Sequence, residues 1–299
     1  MIEILLAGAI ATGTAILLPA LGELLTQRAG ITNLGTEGAM LAGALTGVIM
    51  GISTGSPWLG IGAGILAGAA VAALFAWAVV FRGTNQLATG LIVWFLLFGL
   101  TSMFGREYNG QVLPPIGKLA IPGLSDLPFV GSILFHQSPI VYLGFALIAG
   151  VWWLLTRSRV GLLIRATGER PLVVAAAGNR PRLIQFLTTT LGGGLSGLGG
   201  SYLSVGVVGN WSNNMTNGYG FIAVTVVIFA AWRTNWATVG SYLFGAAITF
   251  ASQLQARGFA VNQYLLDALP YLLTLVVLVV ISSQRKAAPE ALNAALAAR

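Results

Sequence analysis

The side chains able to carry out chemistry are few. The sequence holds eight carboxylates, one histidine and no cysteine. Without cysteine there is no thiolate nucleophile, disulfide framework or thiolate metal site, and a single histidine rules out a histidine-cluster metal site. His136 stands alone before Gln137-Ser138-Pro139. A membrane-embedded hydrolase would need a Ser/His, paired-aspartate or metal constellation, and this lone histidine is expected to have a structural role. Nucleotide hydrolysis fails on similar grounds. A phosphate-binding loop needs glycine-rich backbone followed by Lys and Ser/Thr, whereas Lys118 and Lys286 precede Leu119 and Ala287. The run Leu191-Gly-Gly-Gly-Leu-Ser-Gly-Leu-Gly-Gly-Ser201 resembles a phosphate cradle only superficially. It lies in the uncharged stretch 183–232, where small residues four apart, such as Gly193 and Gly197, let helices approach closely.

A carboxylate inside an apolar span is costly, about 2.5–3.5 kcal/mol on insertion scales, and usually faces a cavity, a path or a partner. Glu37 opens one such span within Gly30-Ile-Thr-Asn-Leu-Gly-Thr-Glu-Gly38. Two readings stand side by side: an acid capping a helix N-terminus, or a polar lining of a transport path. Glu23 and Asp267 lie nearer span ends and are expected at interfaces. No mid-span relay of acids, His or Arg is evident, which argues against a proton-driven carrier. Asn210-Trp-Ser212 and Asn214-Met-Thr216 match glycosylation sequons, but in so short a loop they are expected to supply polar groups near a pore mouth.

The elements that carry these residues follow from composition. Of 299 residues, 56% are hydrophobic and 8% charged, and the mean hydropathy is +0.85. Soluble domains carry about 25% charged residues. The chain is therefore an all-α, polytopic helical membrane protein, with one membrane domain over 1–286 and a tail over 287–299. Met1-Ile2-Glu3-Ile4 lacks the basic stretch that opens a cleaved signal peptide. The net charge of +7 does not imply nucleic acid as a partner, because the basic residues lie between spans.

Charge-free stretches predict about nine transmembrane segments: 4–25, 37–53, 58–80, 86–104, 138–156, 183–208, 219–232, 237–256 and 264–282. The seventh is short and either spans or re-enters. The loop 157–182 holds six arginines against one acid, Glu169. If it is cytoplasmic and all nine segments cross, twelve Lys and Arg lie inside and three outside; a re-entrant seventh segment gives nine against six. Positive charge favours nine crossings, with the N-terminus out and the C-terminus in. The segment 105–137, with Pro114, Pro115, Pro122 and Pro128, is too irregular for a domain and is expected to cap the outer face.

Within the basic loop, Pro171 suits a first helical turn and Gly178 a helix stop, which predicts a small apolar helix over 172–177 flanked by arginines. Such a helix either docks into a partner's groove or lies on anionic lipid.

Three stretches here resemble a known family: Arg28-Ala-Gly-Ile-Thr-Asn-Leu-Gly-Thr-Glu-Gly-Ala-Met-Leu-Ala-Gly43, Gly161-Leu-Leu-Ile-Arg-Ala-Thr-Gly-Glu169 through Gly178, and Gly218-Tyr-Gly-Phe-Ile-Ala-Val-Thr-Val-Val-Ile-Phe229. The sequence is similar to permease subunits of bacterial ABC importers serving branched-chain amino acids, ribose-type sugars and nucleosides. Asn-Leu-Gly-x-Glu-Gly and Gly83-Thr-Asn-Gln-Leu-Ala-Thr-Gly90 place it nearer the nucleoside and simple-sugar branch. The resemblance implies a type II-like importer permease without catalytic site, metal or cofactor of its own. ATP and Mg would be bound by the partner ATPase.

The partners it implies are a second and different permease chain, two cytoplasmic ATPase subunits, an external substrate-binding protein and the lipids of a bacterial plasma (inner) membrane. It implies inward movement of a nucleoside or simple sugar by alternating access. The alternatives are a branched-chain amino acid permease and, further off, a stand-alone secondary carrier. The small helix would be the coupling helix, with Arg165, Gly168, Glu169, Arg170, Pro171, Ala177 and Gly178 joining the permease to the ATPase. Asn33, Glu37, Asn85, Gln86, Trp94, Tyr219 and Phe221 would line the path, their amide and aromatic groups suiting a base or sugar. Two departures stand out. Trp94 replaces an expected small polar residue such as Asn, and Phe229-Ala-Ala-Trp-Arg233 lacks the glycine expected near position 230.

Overall fold

Long uncharged stretches with no water to bond their backbone must close their hydrogen bonds internally, and helices do so within each segment. A computed structural model describes residues 2–113, 116–123, 125 and 130–257, together with positions 268, 272, 276 and 290. Its long helices are α1 (Ile2–Arg28), α2 (Thr36–Thr54), α3 (Pro57–Ala76), α4 (Gln86–Phe104), α6 (Pro139–Arg157), α9 (Pro181–Ser201) and α11 (Thr234–Ala256). Between them stand the short helices α5 (Val130–Leu134), α7 (Arg159–Glu169), α8 (Pro171–Ala176) and α10 (Tyr219–Phe229). Strands β1 (Leu119–Ala120) and β2 (His136–Gln137) pair antiparallel. α3 and α9 run on into π-helical turns, Trp77–Phe81 and Tyr202–Val208.

Five of these elements, Glu3–Arg28, Thr36–Thr54, Pro57–Phe81, Gln86–Phe104 and Pro139–Arg157, are long and apolar enough to cross a bilayer. α9 and α11 are as long, and they pack beside the five. The expected ninth segment, 264–282, with Asp267, and the tail 287–299 lie outside the described residues apart from the single positions named above.

The centre of the bundle is α1, α2, α3 and α9. Glycine makes it possible: a Cβ at Gly197 would run into the Gly64 carbonyl oxygen and come within 2.9 Å of Gly68 Cα. Backbone thus meets backbone between α3 and α9, and the run 191–201 serves packing. Two large apolar clusters, and a small one of Ile31, Phe75, Val79 and Val93, fill the rest. One joins α1 to α6, α10 and α11 through Leu21, Leu24, Ile222, Val226 and Phe244. The other joins α2, α3, α9 and the segment after it through Leu41, Leu45, Ile61, Leu198, Tyr202 and Trp211.

The helices divide the basic residues between two ends. Arg28, Arg82, Arg233 and the six arginines of 157–182 sit at one end; Arg106, Lys118 and Arg257 sit at the other. At the second end the segment after α4 lies over the exit of α9. Leu113 N–H donates to the Gly209 carbonyl at 2.8 Å, Gly110 N–H donates to that of Trp211 at 3.2 Å, and Trp211 is buried.

Candidate functional site

The seventh apolar segment is neither a plain span nor a short re-entrant hairpin. Residues 209–211 lie at the cap, whereas Trp232 reaches the opposite end, where Arg28 Nε and Nη2 donate to its carbonyl at 3.1 and 2.6 Å. Between them, 209–218 is non-helical, and only the eleven residues of α10 are helical. Eleven residues rise about 16 Å, half of a hydrocarbon core of about 30 Å. The N-terminus of α10 therefore opens near mid-depth. In lipid, irregular backbone is tolerated only where protein buries it or where it borders a cavity.

Glu37, in the first turn of α2, holds that opening. It is buried, and every partner is a donor: Thr216 Oγ1 at 2.6 Å and Gly218 N–H at 2.9 Å on Oε1, Gly220 N–H at 2.6 Å on Oε2. Such a set fits an ionised carboxyl, which only accepts. Gly220 lets α10 come this close, since a Cβ there would lie 2.5 Å from Glu37 Cα. Glu37 is thus a cap, but of a helix 183 residues away in sequence rather than of its own.

Glu23 lies five residues before the end of α1. It is buried, with Gln27 Nε2 and Asn33 N–H each donating to Oε1 at 3.0 Å and Thr36 Oγ1 at 3.2 Å from Oε2. The segment 29–35 folds back over the end of α1 and covers it. Gln27 extends the chain, its Oε1 accepting from Trp232 Nε1 at 2.7 Å. Ala231 and Trp232 take φ of +48° and +55°, a left-handed conformation costly for residues with a Cβ. The position where glycine was expected in relatives is therefore a turn that favours it, and here Gln27 and Arg28 hold the turn instead.

The other residues expected along the path divide. Trp94 and Phe221 meet edge to face, with centroids 5.0 Å apart and planes at 81°. Trp94 Nε1 is buried and without a hydrogen-bond partner among the described residues. Tyr219 is the first residue of α10, half-buried. Asn33 turns its Oδ1 to the Gly35 N–H at 2.9 Å. Asn85 caps α4, taking Leu87 and Ala88 N–H at 3.0 Å each. Gln86 Oε1 accepts from Thr32 N–H at 3.0 Å. Glu37, Trp94, Tyr219 and Phe221 thus gather at the α10 opening, while the three amides fix turns nearer the basic end.

At that end the expected small helix is α8. Pro171 starts it, Ala177 ends it, and Gly178 has φ +80°. Leu172 is 85% exposed and Val173 59%. Arg170 pairs with Glu290 at 3.3 Å, both exposed, and Glu169 Oε2 accepts from the Glu290 N–H at 3.3 Å. Gly168 is buried against the Arg28 carbonyl, where a side chain would not fit, which ties α7 to α1. Residues 159–169, inside the expected basic loop, are helical, and buried Gly161, Ile164 and Gly168 repeat at helical spacing.

Residues 5–281 match the family described as branched-chain amino acid transport system, permease component. The putative glucose ABC transporter permease protein TsgC13 of Haloferax volcanii is 35% identical, over 96% of this chain and 95% of its own length. The guanosine ABC transporter permease protein NupQ of Bacillus subtilis is 28% identical, over 93% of this chain and 92% of its own. The nucleoside ABC transporter permease protein NupC of Lactococcus lactis subsp. cremoris is also 28% identical, with the same coverage. No solved structure matches. A match over nearly the whole length, on a helical bundle broken at mid-depth, makes the chain a member of this ABC transporter permease family.

Proposed function

We propose that the chain forms one half of the pore of an ATP-driven importer that carries a neutral polar solute, a nucleoside or simple sugar, inward by alternating access. The observation that carries this is the filled N-terminus of α10. A half-helix opening at mid-depth offers free N–H groups and positive dipole to a solute's carboxylate. Here Glu37 occupies that place. An amino acid would find its anchor taken, whereas a neutral ring needs an aromatic face and a donor, which Trp94 and Phe221 offer. The relatives named for glucose, guanosine and nucleosides support the same choice over the branched-chain amino acids of the family's description.

The test is uptake of labelled nucleosides, glucose and leucine by cells carrying the permease with its ATPase and binding protein. Uptake of leucine alone would overturn the reading. Trp94→Phe keeps an aromatic face, though a smaller one, and removes the N–H, and is expected to raise the uptake KM about tenfold, the worth of one desolvated hydrogen bond.

In this reading the end holding nine of the described basic residues is cytoplasmic, with the N-terminus outside, the C-terminus inside, and the whole in a plasma membrane. α8 then seats in the ATPase, which supplies ATP and Mg, and a second permease chain and an external binding protein complete the assembly. Leu172→Asp with Val173→Asp should cut uptake about tenfold or more by removing apolar anchors from that seat, while the ATPase still hydrolyses ATP at its basal rate. Uptake at the parental rate would separate α8 from coupling.

A further inference from the structure

Beside the turn that leads into α11, at the basic end, lies a cavity of about 250 Å³ walled by Arg28, Arg165, Arg233, Trp152, Trp232 and Trp236. Its charge is unbalanced. Arg28 feels Arg165 and Arg233 as like charges and Glu169 as the acid, and no ion pair joins these residues among those described. Arg28 is engaged by the Trp232 carbonyl. Arg165 Nε is buried and has no partner among the described residues. A buried guanidinium nitrogen without an acceptor is costly, and three guanidinium groups around one hollow call for an anion.

The surroundings tell which anion. Trp152 and Trp236 are exposed at the ends of α6 and α11, the depth at which indole rings sit among lipid headgroups. From Trp236 the outer face of α11 continues through Val239, Leu243 and Phe250, all exposed, at spacings that keep them on one side of the helix. An apolar strip of this kind has no use for free phosphate but suits an acyl chain. We propose that the cavity binds the headgroup of an anionic phospholipid, with Arg165 and Arg233 on the phosphate, the indoles around the glycerol, and a chain along α11. The proposal requires only that the chain spans a bilayer, whatever solute it carries and in whichever direction.

The complex of permease and ATPase, in detergent with equal phosphatidylglycerol and phosphatidylcholine of matched chains, is read by native mass spectrometry. The unmodified complex should retain phosphatidylglycerol preferentially. Arg165→Gln with Arg233→Gln should weaken that retention about thirtyfold, taking each arginine at its usual worth near a charged headgroup. Arg157→Gln with Arg159→Gln, at the same end but outside the cavity, should leave it unchanged. Equal retention of the two lipids overturns the proposal and needs no variant, so the test stands even if the double variant does not fold. Two other results overturn it as well: complete displacement of the lipid by glycerol phosphate, or loss of the ATPase from the double variant with lipid retention unaltered.

Discussion

Replacing Glu37 with alanine should abolish uptake and loosen the bundle. Three donors now satisfied by its carboxylate, Thr216 Oγ1 and the N–H groups of Gly218 and Gly220, would be left without that acceptor, two of them in buried residues. Each buried unpaired donor costs about 1–3 kcal/mol, so α10 would lose about 3 kcal/mol or more of its hold on α2. That corresponds to about a hundredfold fall in the population with α10 in place. Glu37→Gln should fall between, about tenfold down, because its amide keeps the two bonds on Oε1 but turns an N–H₂ toward the Gly220 N–H. Radiolabel uptake, normalised to permease in the membrane, measures both. Alanine at 37 with uptake within about twofold of the parent would take Glu37 out of the site.

The second large effect concerns stability. Gly197→Ala places a methyl group against the Gly64 carbonyl oxygen and Gly68 Cα, which are backbone atoms that cannot rotate away. Overpacking of this kind costs about 1–3 kcal/mol, and Gly197→Val should cost more. Gly62→Ala is the control on the facing helix. Nothing lies within 4 Å of its new Cβ, and alanine is the better helix former by about 0.8–1.0 kcal/mol. Thermal unfolding of the purified protein should therefore move in opposite directions for the two substitutions. A shift of the same sign and size would mean that α3 and α9 do not pack through their backbones.

The spans were legible because charge is costly in lipid: 86–104 coincides with α4, and 138–156 lies within one residue of α6. The helix at Pro171 was legible from its proline and glycine, which act locally. What the sequence could not show is long-range pairing. Nothing near Glu37 announces Thr216 or Gly220, and nothing near Glu23 announces that 29–35 folds back over it. Gln27 and Trp232, some two hundred positions apart, form a bond with no local signature at all. The break at 209–218 was visible as polar, uncharged sequence, but its descent to mid-depth follows from the cap beneath which Trp211 is fixed and from the carboxylate awaiting α10. Asn33, Asn85 and Gln86 show the opposite limit: amides whose types suit a solute, but whose nearest needs are the N–H groups of their own turns.

Glu37 and the helix end it meets also bear on membrane voltage. Moving one elementary charge through a bilayer takes about 2.3 kcal/mol per 100 mV, and any fixed charge at mid-depth invites counter-ions to travel with the cargo. The partial positive charge of the α10 N-terminus, about half a unit, is set directly against a carboxylate, so the charge left at this station is smaller than that of a free acid. A neutral solute passing it carries no current. In the importer proposed above, uptake of such a solute is therefore expected to run at the same rate whether or not the cell is polarised.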